Sequence, residues 1–246
     1  MEESSTLPTM KTWIGTSGFH YPEWKGKFYP EKMPAAKMLA FYAAEFHSTE
    51  VNYTFRRLPS AETIDRWRDE TPEDFSFSLK APQRVTHFAK LCGCGETMKA
   101  FRDAVKGLGK KLGPVLFQLP ATSHADPGLF GEFLQSLPRG LCVAFEFRHD
   151  SWFTDEIFGL LGESNAALCI AESEELITLR VATADFGYFR LRRASCTKRE
   201  IGNLARFIRD ENGKRSDAFI YYKHEETGTG PIFAKSLMKA LGDSTD

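Results

Sequence analysis

Eight short β-rich runs recur along the 246 residues, at Thr12–Ser17, Ser48–Asn52, Asp74–Lys80, Gly113–Leu119, Leu141–Phe147, Ala166–Ala171, Phe186–Leu191 and Asp217–Tyr222. Helical patterns are predicted between most of them, at Ala35–His47, Ser60–Glu70, Gly95–Leu112, Pro127–Leu137, Asp155–Glu163, Lys198–Asn212 and Pro231–Leu241. Ser60 is placed to cap the second helix, and Gly113-Pro114 to close the third. Such alternation demands parallel strands with helices outside them. At a length near the about 250 residues typical of (β/α)₈ barrels, the pattern predicts an α/β fold: a TIM-like barrel of about eight parallel strands. One helix is expected to be stunted or missing near residues 172–185, where a short helical stretch runs into Ile177-Thr-Leu-Arg-Val181. Residues 1–10 are expected to form a disordered polar tail and residues 11–246 a single domain.

Side-chain alternation within the strands says more than their number, because successive strand residues point to opposite faces. Phe75, Phe77 and Leu79 share one face; Ser76, Ser78 and Lys80 share the other. Val143, Phe145 and Phe147 oppose Cys142, Ala144, Glu146 and Arg148 in the same way. Glu50 and Asn52 oppose Val51, Gln118 opposes Phe117 and Leu119, and Tyr188 and Arg190 oppose Phe189 and Leu191. An open sheet covered on both faces would show near-continuous apolar runs instead. The apolar faces therefore belong under helices, and the polar residues belong inside a closed barrel, toward the C-terminal end where barrel enzymes place their chemistry.

A formal net charge of −1 excludes the broad basic field of a non-specific nucleic-acid or membrane-surface binder. The N-terminus has no secretory pattern and no later run is long enough to cross a bilayer, so a cytoplasmic location is expected. The 5 cysteines are an odd number at irregular spacing, which fits a reducing compartment better than a disulfide framework. Cys92 and Cys94 form a C-x-C that lacks the second pair of a zinc site. No organic cofactor motif is present; a divalent metal stays open, and so does the oligomeric state.

Lys80, Glu146, Arg148 and Arg190, with Glu50, Asn52 and Gln118, would converge at one mouth from different strands. A partly desolvated ion costs several kcal/mol unless paired, so these charges form either a mutual network or a site that a ligand completes. A purely structural network would pair Lys80 with Glu146 and Arg148 with Glu50. Phe19, Tyr21, Trp24, Phe28, Tyr53, Phe55 and Trp152 fall in the mouth loops, where packing is their commoner role and stacking on a flat ligand the alternative. His87 and His149 follow the third and fifth strands; His87 is a ligand candidate, and His149 suits a helix cap better. Thr227-Gly-Thr-Gly-Pro231 sits where barrels place late phosphate loops.

The segments Ile14-Gly-Thr-Ser-Gly-Phe-His-Tyr-Pro-Glu-Trp24, Glu50-Val-Asn-Tyr-Thr-Phe-Arg-Arg-Leu-Pro59, Lys80-Ala-Pro82, Thr86-His87, Gly113-Pro-Val-Leu-Phe-Gln-Leu-Pro120, Glu146-Phe-Arg-His-Asp-Ser-Trp152 and Cys169-Ile-Ala171 resemble the YecE-like family, a domain of unknown function. The resemblance implies a TIM-like barrel and supplies no catalytic residue. Glu172 stands where that family usually has aspartate, and Tyr222-Lys-His-Glu-Glu226 replaces its commoner ending.

The leading expectation is an enzyme acting by acid–base chemistry, with Glu146 and Lys80 catalytic, on a phosphorylated or carboxylated small molecule. Arg148, Arg190 and Lys223 would neutralise the anion, Asn52 and Gln118 would orient it, and Glu50, His87 and Trp152 would complete the ligand site. One alternative is a nucleic-acid-binding or phosphodiester-cleaving barrel resembling apurinic endonucleases, with Arg56, Arg57, Arg192 and Arg193 on phosphates. Another is a non-catalytic binding module.

Overall fold

The alternating runs form eight strands: β1 (Lys11–Ser17), β2 (Ser48–Val51), β3 (Ser76–Lys80), β4 (Leu112–Gln118), β5 (Val143–Glu146), β6 (Ala167–Glu172), β7 (Phe186–Leu191) and β8 (Asp217–Tyr222). The structure, a computed structural model, describes residues 11–172, 178–192, 195, 197–212, 217–223 and 228–242. Each strand pairs in parallel with the next, and β8 returns to β1, with Lys11–Thr16 registered on Asp217–Tyr222. The sheet is a closed barrel.

Outside it lie α1 (Met38–Ala43), α2 (Tyr53–Arg56), α3 (Ala61–Asp69), α4 (Gly95–Val105), α5 (Pro127–Ser136), α6 (Asp155–Glu163), α7 (Lys198–Asn212) and α8 (Gly230–Leu241). Local chemistry sets their starts. Ser60, Asp126 and Thr154 each accept a backbone N–H of the first turn of α3, α5 and α6, and Pro127 occupies a first-turn position where no N–H is needed. Lys111 reaches across to the end of α3, donating to the carbonyls of Arg68 and Thr71 at 2.5 and 2.7 Å. A lysine there satisfies carbonyls that the helix leaves open.

Two layers of core follow from strand phase. Phe75, Phe77, Leu79, Val143, Phe145 and Phe147 face the helices and join the larger apolar cluster. Phe117 and Phe145 stack at 5.0 Å, with Phe130 edge-on to Phe145 from α5. Within the barrel, Leu116, Ala144, Ala167, Cys169, Phe186, Tyr188, Phe219 and Tyr221 form a second cluster, and Trp13 stacks on Phe219. That plug fills the lower barrel as side-chain layers do in this architecture. Tyr221 ends the dry zone, its hydroxyl 2.6 Å from Ser48 Oγ and 2.7 Å from Ser78 Oγ. Charge begins one layer above.

Several boundaries differ from expectation. The first helix is a 3₁₀ turn, Ala35–Lys37, followed by the short α1, and it ends at Ala43 rather than His47. The third ends at Val105, and a 3₁₀ stretch runs to Lys111; Gly109, at φ 55°, makes the break, so Gly113-Pro114 lies inside β4 rather than closing a helix. Residues 178–185 contain no helix, in keeping with the stunted link; residues 173–177, like the proposed tail at 1–10, lie outside the described residues.

Closure is tightest at Gly15, which registers with Ser48. A Cβ there would lie 1.9 Å from the Ser48 carbonyl oxygen and 2.7 Å from the Tyr42 hydroxyl. Gly15→Ala is therefore expected to lower the free energy of unfolding by about 2 kcal/mol or more through overpacking. Urea denaturation reads this directly, and an unchanged midpoint would show that the β1–β2 contact is looser than described.

Candidate functional site

Five strands deliver side chains to the C-terminal mouth. Glu50 is the penultimate residue of β2, Lys80 ends β3, Gln118 ends β4, Glu146 ends β5, and Arg190 is penultimate in β7. Arg190 is the hub. Its Nε and Nη2 donate to Glu50 Oε1 at 3.2 and 2.8 Å, while Nη1 donates to Glu146 Oε2 and, at 3.4 Å, to Gln118 Oε1. Glu50 also accepts from Ser17 Oγ at 2.6 Å and from the Tyr188 hydroxyl at 2.8 Å. Asn52 stands one step back, donating to Ser17 Oγ at 2.9 Å. Glu146 Oε1 accepts from Arg192 at 2.7 Å and from Arg148 at 3.1 Å. Glu50 and Glu146 are 0% exposed and Arg190 1%, so each ion depends on these partners.

Which cation reaches which carboxylate differs from expectation. Arg148 pairs with Glu146 rather than Glu50, and Glu50 is held by Arg190. The Lys80 amine makes no hydrogen bond or ion pair with Glu146 or any other described residue; its Nζ lies over the Phe55 ring, 4.2 Å from the centroid. Burial pushes the Lys80 ammonium down, Arg190 and Lys223 push it further, and Glu50 and Glu146 only partly offset them, leaving it at about 8. Glu146 moves the other way. Burial would raise it, but Arg190, Arg192 and Arg148 outweigh burial and hold the carboxyl at about 2. Glu50 is also lowered, Arg190 overcoming burial. A carboxylate held this firmly ionised is a poor proton donor or acceptor near neutrality. The geometry has Glu146 anchoring the guanidinium groups of Arg148, Arg190 and Arg192.

His87 belongs to this mouth. It lies in a π-helical turn, Arg84–Phe88, with Nδ1 2.8 Å from Thr86 Oγ1 and its ring edge-on to Phe55 at 5.0 Å. Burial, Lys80 and Arg148 all lower its basicity. The π turn and the positive φ of Lys90 and Leu91 just after it mark the β3–α4 connection as locally strained, and such strain clusters at functional sites. Lys223 follows β8, close enough to depress Lys80.

Other candidates lie elsewhere. Trp152 is buried beneath α5, stacked on Phe147 at 4.5 Å, with Nε1 donating to the Ser123 carbonyl, so it packs the outer core and does not line the mouth. Trp24 belongs to the outer cluster and Phe28 packs against it, whereas Phe19 and Tyr21 pack against it and also line a cavity with Asn52 and Tyr53. His149 accepts from Ser151 N as the cap of a short turn. Cys94 is buried with its thiol donating to the Cys92 carbonyl, while Cys92 is exposed. Among the described residues no three His, Cys, Asp or Glu side chains gather as metal ligands. Arg193 and Thr227 lie outside the described residues.

A family model described as a protein of unknown function, DUF72, matches residues 13–246. The chain belongs to the DUF72 family. Within it, the UPF0759 protein YecE of Escherichia coli (strain K12) is 32% identical over 143 residues, 57% of this chain and 50% of that protein. The UPF0759 protein YunF of Bacillus subtilis (strain 168) is 28% identical over 138 residues, 53% of this chain and 49% of that one. The matched stretch thus spans about half the length of these curated relatives. A crystal structure of a DUF72 family protein from Thermotoga maritima superposes with TM-score 0.83 at 24% identity, covering 94% of this chain and 99% of that one. The barrel is therefore the DUF72 fold, as the YecE-like segments implied.

Because the Glu146 carboxyl is depressed, its stabilising contribution is complete above the ordinary value of 4.5 and is lost as pH falls through about 2. The gap in unfolding free energy between wild type and Glu146→Gln should accordingly narrow as pH falls through that window. A gap independent of pH would show that Glu146 is not held ionised by the arginines.

Proposed function

We propose that the barrel mouth binds a small phosphorylated or carboxylated molecule and acts on it enzymatically, with Lys80 as the proton-transferring group. One observation carries this reading: among the described residues of the mouth, the carboxylates of Glu50 and Glu146 face the cations of Arg148, Arg190, Arg192 and Lys80. Positive charge is in excess there. Arg190 is consumed by its carboxylates, so its part is to hold the site rather than the ligand. Arg148 and Arg192, with 33% and 18% of their side chains exposed, can still turn donors outward. Arg192 Nε is buried and has no hydrogen-bond partner among the described residues, an unmet donor of the kind a ligand oxygen satisfies. Gln118 and Asn52 brace the hub, and His87 borders the space beside Lys80. A proton donor with its pKa near working pH is the kind that acid–base catalysis favours. No described helix is long and apolar enough to cross a membrane, and we place the protein in the cytoplasm.

A second reading has its own observation. A groove of about 780 Å³ beside the mouth is lined by Arg56, Arg57, Arg84, Phe55 and Phe88, and Phe88 is 73% exposed. Basic and aromatic side chains together suit a single nucleic-acid strand. Arg57 already covers the Tyr53 ring at 4.5 Å, and Arg192 is turned to Glu146 instead.

A thermal-shift screen of phosphorylated metabolites, organic acids and short oligonucleotides, with and without divalent metal, separates the two. An anion at about a hundred times its Kd adds about 2.7 kcal/mol, which raises Tm by several degrees in a domain of this size. Arg148→Ala should abolish that shift while leaving the ligand-free Tm nearly unchanged. Loss of the fold in Arg148→Ala would favour a purely structural network, and stabilisation by oligonucleotides alone would favour the second reading.

A further inference from the structure

We propose that Lys80 is a covalent centre, its side-chain amine condensing with the carbonyl carbon of an anionic aldehyde or ketone to form an imine at the barrel mouth. The proposal rests on the anion-binding reading above and adds the reacting group of the ligand. It begins from the isolation of the amine. Both carboxylates within electrostatic reach of Lys80 are already claimed, Glu50 by Arg190, Ser17 and Tyr188, and Glu146 by Arg190, Arg192 and Arg148. No described acceptor ties the nitrogen down as an ammonium. Neighbouring positive charge and burial then favour the neutral, nucleophilic form.

Among the described residues, the hydroxyls and the thiol nearest the charged layer are engaged or buried. Ser17 donates to Glu50, Ser78 shares a hydrogen bond with Tyr221, Tyr188 donates to Glu50, and Cys169 is fully buried below them. Thr54 Oγ1 donates to the Lys80 carbonyl at 2.7 Å, fixing the backbone from which the amine projects. Arg148 and Arg192 supply donors for the carboxylate or phosphate of the same molecule.

The step balances without a redox partner. The ammonium of Lys80 and a carbonyl give a protonated imine and one water; the C=O bond breaks, the C=N bond forms, and two hydrogens leave nitrogen with the oxygen. The charge on nitrogen is the same before and after, so the Phe55 face at 4.2 Å serves both states.

The test treats the whole protein with pyruvate or glyceraldehyde phosphate, adds borohydride, and maps the reduced adducts by peptide mass spectrometry; lactate and glycerol phosphate are the controls without a carbonyl. With Lys80 lowered from the ordinary lysine value of 10.5 to about 8, its neutral-amine fraction near neutral pH rises by about two orders of magnitude. The adduct should therefore concentrate on Lys80 and vanish in Lys80→Arg. Adducts spread over surface lysines with Lys80 unlabelled would overturn the imine. If in the same samples lactate or glycerol phosphate raises Tm, the anion site stands and only the imine fails; if none of the four compounds raises Tm and no adduct forms, both proposals fail.

Discussion

A guanidinium held between two carboxylates in a dry interior satisfies all three ions only if each oxygen and each N–H has a partner. Arg190 donates from all three of its nitrogens to Glu50, Glu146 and Gln118, with Ser17 and Tyr188 completing Glu50. Loss of one partner from such a group leaves an uncompensated buried charge, typically a cost of about 3–5 kcal/mol. The contact joins β2, β5 and β7 across the barrel axis, so the mouth's shape depends on it. It also decides what is left over. Because the arginines claim both carboxylates, Lys80 has none among the described residues.

The lower barrel makes this possible. Leu116, Ala144, Phe186, Phe219 and Tyr221 exclude water beneath the charged layer, and a low-dielectric floor strengthens every ion contact above it while penalising any that goes unpaired. Tyr221 and its two serine neighbours form the seam between the two zones. Fold and site are thus set by the same alternation of inward side chains, apolar low in the barrel and ionisable at its rim.

That alternation was legible in the sequence because strand period is short and unambiguous: Phe75, Phe77 and Leu79 could face only the helices once Ser76, Ser78 and Lys80 faced the axis. Partner choice was not legible. Arg148 shares the inward phase of β5, and Arg190 and Arg192 that of β7, and nothing in their spacing says which guanidinium crosses to which carboxylate. Trp152 follows β5 closely enough to suggest the mouth, yet the turn Asp150–Trp152 folds it back onto Phe147. The helix expected through Leu112 overran because Leu108 continues the apolar spacing of the helix before it, whereas Gly109 adopts a backbone conformation no helix continues. The π turn at Arg84–Phe88, which seats His87 beside Phe55, carries no compositional signal.

The isolation of Lys80 is open to direct measurement by following its Nζ resonance by NMR across a pH titration of the labelled protein. A transition at about 8 is the result expected for a half-buried amine among arginines whose carboxylates are already taken. A transition at or above the ordinary lysine value of 10.5 would mean that Lys80 is paired with Glu50 or Glu146, and that the arginine-centred arrangement of the mouth is wrong.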